Sequence, residues 1–132
     1  MIYVDTSVVL AHLMAEDLVP PAAMWNEVLV SSRLLEYELW TRVHAQRLGQ
    51  SHGELVRQLT GRLAFLELAP PVLARALESF PVSVRTLDAL HLASLQFLRD
   101  QGQHVELASY DQRMIDAARR MRVPIYALEG AA

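Results

Sequence analysis

The chain has 132 residues, 52% of them hydrophobic, a formal net charge of -3 and no cysteine. This excludes a disordered tail, which needs few apolar residues and high net charge, and it excludes a disulfide framework or a thiolate metal centre. Asp, Glu, Arg or Pro interrupts every apolar run before it is long enough to cross a bilayer, and the opening Met1-Ile2-Tyr3-Val4-Asp5 lacks the basic start and long apolar stretch of a secretory leader. The expectation is one domain spanning residues 1–132, cytoplasmic and away from membranes. Every basic residue other than histidine is arginine, a side chain suited to bidentate phosphate contacts. The basic excess usual in a sequence-neutral nucleic-acid binder is missing.

Residues 2–4 read as a short apolar strand. Thr6 or Ser7 is placed to cap a helix carrying Val8, Val9, Leu10 and Leu13, and a helix is expected near residues 21–27. Residues 28–30 are the second strand. Leu35, Leu39 and Val43 share one face of a helix over residues 34–48. Gly49 is expected to end that helix. Ser51, with Glu54 three residues on, reads as a capping box for the next, which carries Leu55, Leu59, Leu63 and Leu66. Residues 66–69 are a third strand and residues 72–80 a short helix. Thr86 is expected to cap a helix running to about Arg99. A fourth strand over 105–109, a helix over 111–121 and a final strand over 123–127 complete the chain. Alternating strands and helices give an α/β fold, a three-layer α/β/α sandwich around a short parallel sheet, with strand order 3-2-1-4-5. No repeat or linker interrupts it.

Ligands in such sheets sit beyond the C-terminal strand ends, where the strand order reverses. Asp5 ends the first strand and Asp111 follows the fourth, so both face one crevice. Glu38 lies one turn into the helix after the second strand, and Asp88 opens the helix leading to the fourth. Carboxylates gathered in one crevice repel one another. A magnesium ion, which takes oxygen ligands and keeps several waters, relieves that conflict and can act on a phosphodiester. Each acid also has a plain structural use. Asp5 and Asp111 can cap helices, Asp88 can sit at a helix dipole, and Glu38 can pair with Arg42 four residues on. Their joint placement at one sheet edge favours a site.

The segment Ile2-Tyr3-Val4-Asp5-Thr6-Ser7 resembles the opening strand and D-T-S motif of PIN-domain proteins. Residues 31–39, ending Glu38-Leu39, are similar to the segment bearing their second acid. Leu87-Asp88-Ala89-Leu90-His91-Leu92-Ala93 resembles the motif carrying the third, and Ser109-Tyr110-Asp111 the T-x-D motif supplying the fourth, with serine in place of the common threonine. Length and motif set are most similar to the VapC toxins of toxin–antitoxin systems. The resemblance implies a Mg2+- or Mn2+-dependent RNA endonuclease acting on transfer or ribosomal RNA, a homodimer, and an inhibitory VapB-type antitoxin. It implies Asp5, Asp88 and Asp111 as metal ligands, Glu38 as a metal ligand or a group orienting the attacking water, and Thr6, Ser7 and Ser109 as supporting hydroxyls. Asp116 rivals Asp111 as the fourth acid.

His91 is expected to pack or hydrogen-bond rather than catalyse, because no acid–base partner is evident for it. His12, His44, His52 and His104 show no metal-ligand spacing. Trp25, Trp40 and Tyr37 are expected in cores or a dimer contact. Arg33, Arg42, Arg85 and Arg113 are the candidate phosphate contacts, and most of the Val8 to Leu13 run is expected in the core. A receiver domain is set aside because the chain has no lysine, and an aspartate-nucleophile phosphatase because Asp5 is not followed by a D-x-D pattern. The remaining alternative is a catalytically silent PIN domain acting as a binding or scaffolding module.

Overall fold

The computed structural model describes residues 1–16 and 18–128. Strands β1 (Ile2–Val4), β2 (Leu29–Ser32), β3 (Ala64–Leu66) and β4 (Glu106–Ala108) form one parallel sheet in the order β3-β2-β1-β4. Helices α1 (Thr6–Leu13), α2 (Leu34–Ala45), α3 (Gly49–Thr60), α4 (Pro70–Ala76), α5 (Thr86–Asp100) and α6 (Gln112–Arg120) connect and cover them. Strand side chains alternate between faces, and the central strand divides two cores accordingly. Ile2 and Val4 pack with Val8, Val9, Leu35, Leu39 and Val56 on the face of α1, α2 and α3. Tyr3 packs with Leu92, Leu95, Leu107 and Met114 on the face of α5 and α6. The expected three layers and the 3-2-1-4 part of the strand order are thus present, and the Val8 to Leu13 run is largely core.

Several expected boundaries move, for identifiable reasons. The final strand shrinks to a single parallel bridge between Leu107 and Ile125. Leu107 N–H donates to the Pro124 carbonyl and Tyr126 N–H to that of Leu107, but Pro124 has no N–H to extend the ladder. Gly49 begins α3 instead of ending α2, and the turn between them is made by Arg47 at φ 57°. Ser51 therefore lies inside α3, its hydroxyl donating to the Leu48 carbonyl, and no capping box forms because Leu48, not Ser51, is the N-cap; Glu54 faces Arg57. Leu63 and Leu66 lie beyond α3; the latter ends β3, which starts two residues before the expected range 66–69. The 21–27 helix is a 3-10 turn over Ala22–Asn26. Strand β2 starts one residue later and ends two later than expected, and α4 runs over Pro70–Ala76 rather than 72–80. No helix among the described residues is long and apolar enough to cross a membrane.

Core and surface leucines make a quantitative contrast. Leu95 is fully buried in the Tyr3 core, so Leu95→Ala should lose about 2–5 kcal/mol of unfolding free energy in a urea titration. Leu77, 90% exposed, should change by less than about 0.5 kcal/mol when replaced by alanine.

Candidate active site

Asp5 follows β1 directly and its N–H donates to the Ala108 carbonyl at 3.0 Å, tying it to β4. Asp5 does not cap α1 through its side chain. Its Oδ2 instead accepts the Ser7 hydroxyl at 3.0 Å and the Ser109 hydroxyl at 2.6 Å. Each serine then accepts a backbone N–H from the loop after β4: Tyr110 to Ser7 at 3.0 Å, Asp111 to Ser109 at 2.9 Å. The serine at 109 thus supplies the hydroxyl expected there. Burial raises the Asp5 carboxyl pKa above the ordinary range, with His91 and the two serine hydroxyls opposing the shift and Glu38 adding to it.

Glu38 lies on α2, with Oε1 accepting the Thr6 hydroxyl at 2.9 Å. Thr6 and Ser7 were expected to cap α1 or support Asp5; neither caps, and Thr6 serves the second acid. Glu38 makes no ion pair with Arg42 among the described residues, so the surface-pair reading fails. Its second partner is His91, whose Nε2 stands 2.5 Å from Oε1. His91 is 2% exposed, and its Nδ1 lies 2.8 Å from the Tyr3 hydroxyl. Burial raises the Tyr3 phenol pKa, so the phenol stays protonated and donates a hydrogen bond to Nδ1. We assign the ring proton to Nε2, which donates to Glu38. The expectation that His91 lacks an acid–base partner is corrected; its hydrogen-bonding role stands. Its three-residue spacing from Asp88 puts both on one face of α5, which is the only trace of the arrangement in the sequence.

Asp88 lies in the first turn of α5, whose N-cap is Arg85 rather than Thr86, and Thr86 makes no capping bond. Asp111 caps α6, accepting the Arg113 N–H at 3.0 Å through Oδ1. Arg85 stands between these two acids, with Nε 3.4 Å from Asp88 Oδ2 and one terminal nitrogen 3.6 Å from Asp111 Oδ2. Its side chain is 66% exposed. Asp5, Glu38, Asp88 and Asp111 all line one open cleft of about 830 Å³, together with Tyr37, Arg42 and Arg85. Asp116 does not line it. That residue lies further along α6 in a separate hollow and accepts the Gln112 amide at 2.8 Å. Arg33 is drawn away by Glu67 and Glu36 and lies over Phe65, so it is a poor phosphate ligand. Trp25 is core, Trp40 packs against His44 and Arg57, and Tyr37 is 68% exposed at the cleft rather than buried.

The arrangement concentrates negative charge, one carboxylate of which is desolvated, at the carboxyl end of the sheet. Such a cleft attracts cations and repels an anionic substrate unless a cation intervenes. A pH test follows from Asp5. A carboxyl whose folded pKa is raised adds stability below its unfolded pKa and loses it as pH rises through the folded pKa. Asp5→Asn keeps an oxygen acceptor and removes the charge. It should therefore melt above wild type at pH 7.5 in the presence of chelator, with the gap closing as pH falls toward 4. An equal or lower melting temperature at pH 7.5 would mean that Asp5 is adequately solvated.

Two similarities to known proteins accompany this geometry. The PIN domain family model matches residues 2–120. The chain is 30% identical over 128 residues to Ribonuclease VapC47 of Mycobacterium tuberculosis (strain CDC 1551 / Oshkosh), a match covering 92% of each chain.

Proposed function

The chain belongs to the PIN domain family, and from that premise we propose that it is a toxin ribonuclease, a metal-dependent endonuclease that hydrolyses phosphodiester bonds of cytoplasmic RNA. The observation that carries the reading is the convergence of four sequence-distant carboxylates on one cleft. The relative's name adds ribonuclease activity and a VapC-type role. A cognate VapB-type antitoxin, a homodimeric assembly and transfer or ribosomal RNA as substrate belong to the same proposal. Retention of all four mutually repelling acids favours it over a silent scaffold.

The donor chemistry fits Mg2+ or Mn2+, which take oxygen ligands. Asp5 Oδ1, Glu38 Oε2 and Asp88 Oδ1 accept no hydrogen bond among the described residues. As the side chains stand, no three acids or histidines are close enough to hold an ion among those residues, and the Arg85 guanidinium faces Asp88 and Asp111 instead. In the proposal Asp5, Asp88 and Asp111 would hold the ion. When bound, it supplies Lewis acidity toward the phosphodiester and the attacking water. Glu38, fixed through Oε1 by Thr6 and His91, keeps Oε2 to accept a proton from that water. Ser7 and Ser109 orient Asp5, and Arg85 exchanges its carboxylate partners for substrate phosphate.

Asp5→Asn, Asp88→Asn and Glu38→Gln should each lower RNA cleavage by about 10²-fold or more while leaving the circular dichroism spectrum unchanged. Wild-type cleavage by purified Asp5→Asn would refute the assignment. Expression in cells should arrest growth, and co-expression of the antitoxin should relieve it. Arg85→Gln removes the internal counter-ion. Because the Arg85 side chain is largely exposed, the change should tighten Mn2+ binding in calorimetry by only about two- to fivefold. Weaker Mn2+ binding in that variant would show that Arg85 supports the ion's site rather than competing with it.

A further inference from the structure

Residues 113–122 contain Arg113, Arg119, Arg120 and Arg122 against the single acid Asp116. That segment is +3 in a chain of net charge -3, which leaves -6 on the remainder. Arg113, Arg119 and Arg120 are exposed and line one surface hollow with Ser83, from the loop before α5. Elsewhere Arg33, Arg57, Arg75 and Arg85 face carboxylates, Arg62 lies over Trp25, and Arg99 donates to the Met121 and Arg122 carbonyls; Arg42 and Arg47 face no acid among the described residues either, but neither lines this hollow. Among the described residues no acid pairs with Arg113, Arg119 or Arg120, and Asp116 in their midst is engaged by Gln112. Three unpaired guanidiniums on one hollow repel one another, and a polyanion relieves that repulsion.

The hollow begins where the acidic cleft ends. Asp111 lines the cleft and caps α6 through the N–H of Arg113, and Arg113 lines the hollow. Arg113 and Arg120 are seven residues apart, two helical turns, and so lie on one stripe about 10 Å long. No aromatic side chain lines the hollow, which removes base stacking as the mode of contact. Guanidinium groups are matched to phosphate oxygens by bidentate geometry.

We propose that this face of α6 binds the phosphate backbone of the RNA strand on one side of the scissile bond, without reading its bases. The proposal rests on the ribonuclease reading of the cleft and gives it a direction: the strand leaves past Asp111 and runs along α6. It also shows how an acidic protein holds an acidic substrate, by confining its positive charge to one track.

The test compares wild type with Arg119→Gln/Arg120→Gln. Binding is measured by fluorescence anisotropy with a single-stranded RNA probe on the Asp5→Asn background, across a salt series. Removing one arginine–phosphate pair should flatten the slope of log K against log salt by about 0.7, so the double variant should flatten it by about 1.4. In the cleavage-competent chain the same pair of substitutions should raise KM for a long RNA several-fold. It should leave cleavage of a trinucleotide, too short to extend from the cleft to Arg119 and Arg120 at the far end of α6, unchanged. Arg120→Gln alone should flatten the slope by half as much, which separates the effect from any folding defect of the double variant. An unchanged salt slope would overturn the proposal. So would unchanged RNA binding with weakened binding of poly-glutamate, which would reassign the face to an acidic protein partner. Absence of RNA cleavage by wild type would strike the ribonuclease reading alone, since the anisotropy slopes still judge the α6 track.

Discussion

Asp5 stands one residue beyond a strand that is buried on both faces, and its N–H is already committed to β4. Its carboxylate consequently has nowhere to go but the junction of β1 and β4, where water is scarce. Two hydroxyls offset part of that loss, and they are shared. Ser7 and Ser109 donate to Asp5 while accepting the N–H groups of Tyr110 and Asp111. The loop that presents Asp111 is thereby built upon the same oxygens that hold Asp5. A strained electrostatic position at the first acid fixes the location of the fourth, which is the pattern expected where stability is traded for chemistry.

A second line of interactions ties both helical layers to the cleft. Tyr3 points into the core beneath α5, His91 projects from α5, and Glu38 comes from α2 on the opposite side of the sheet. Thr6 of α1 closes the set. The two helical layers therefore meet at one glutamate oxygen, and the sheet joins them through Tyr3 at His91. The strand beside them contributes its phenol from the face opposite Ile2 and Val4.

What the sequence made legible was whatever depends on strand ends and on alternation. The apolar Ile2-Tyr3-Val4 run, followed at once by an acid, located Asp5. The placement of Asp88 and Asp111 at helix starts was equally local. Features set by partners remote in sequence were not legible: nothing near His91 announces a glutamate 53 positions away. Nor does anything near Arg85 announce Asp111, although its spacing from Asp88 is a same-face helical interval. The end of α3 was obscured because Leu63 and Leu66 continue the helical phase of Leu55 and Leu59, and periodicity alone does not separate a helix from a short buried strand. The fifth strand is shorter than its apolar run alone suggests, because Pro124 within it has no N–H to join the ladder.

The brevity of β1 has a consequence for how the molecule can fail. Its pairing places Tyr3 opposite Val30 and Leu107, between Ile2 and Val4 facing the other way. Sliding β1 by one residue would exchange the two cores' occupants and turn Asp5 away from both serines. Architecture and chemistry share one alignment, so a chain that folds into a neighbouring alignment is also an inert chain. For a molecule whose proposed activity endangers the cell that makes it, misfolding and disarmament would then be the same event.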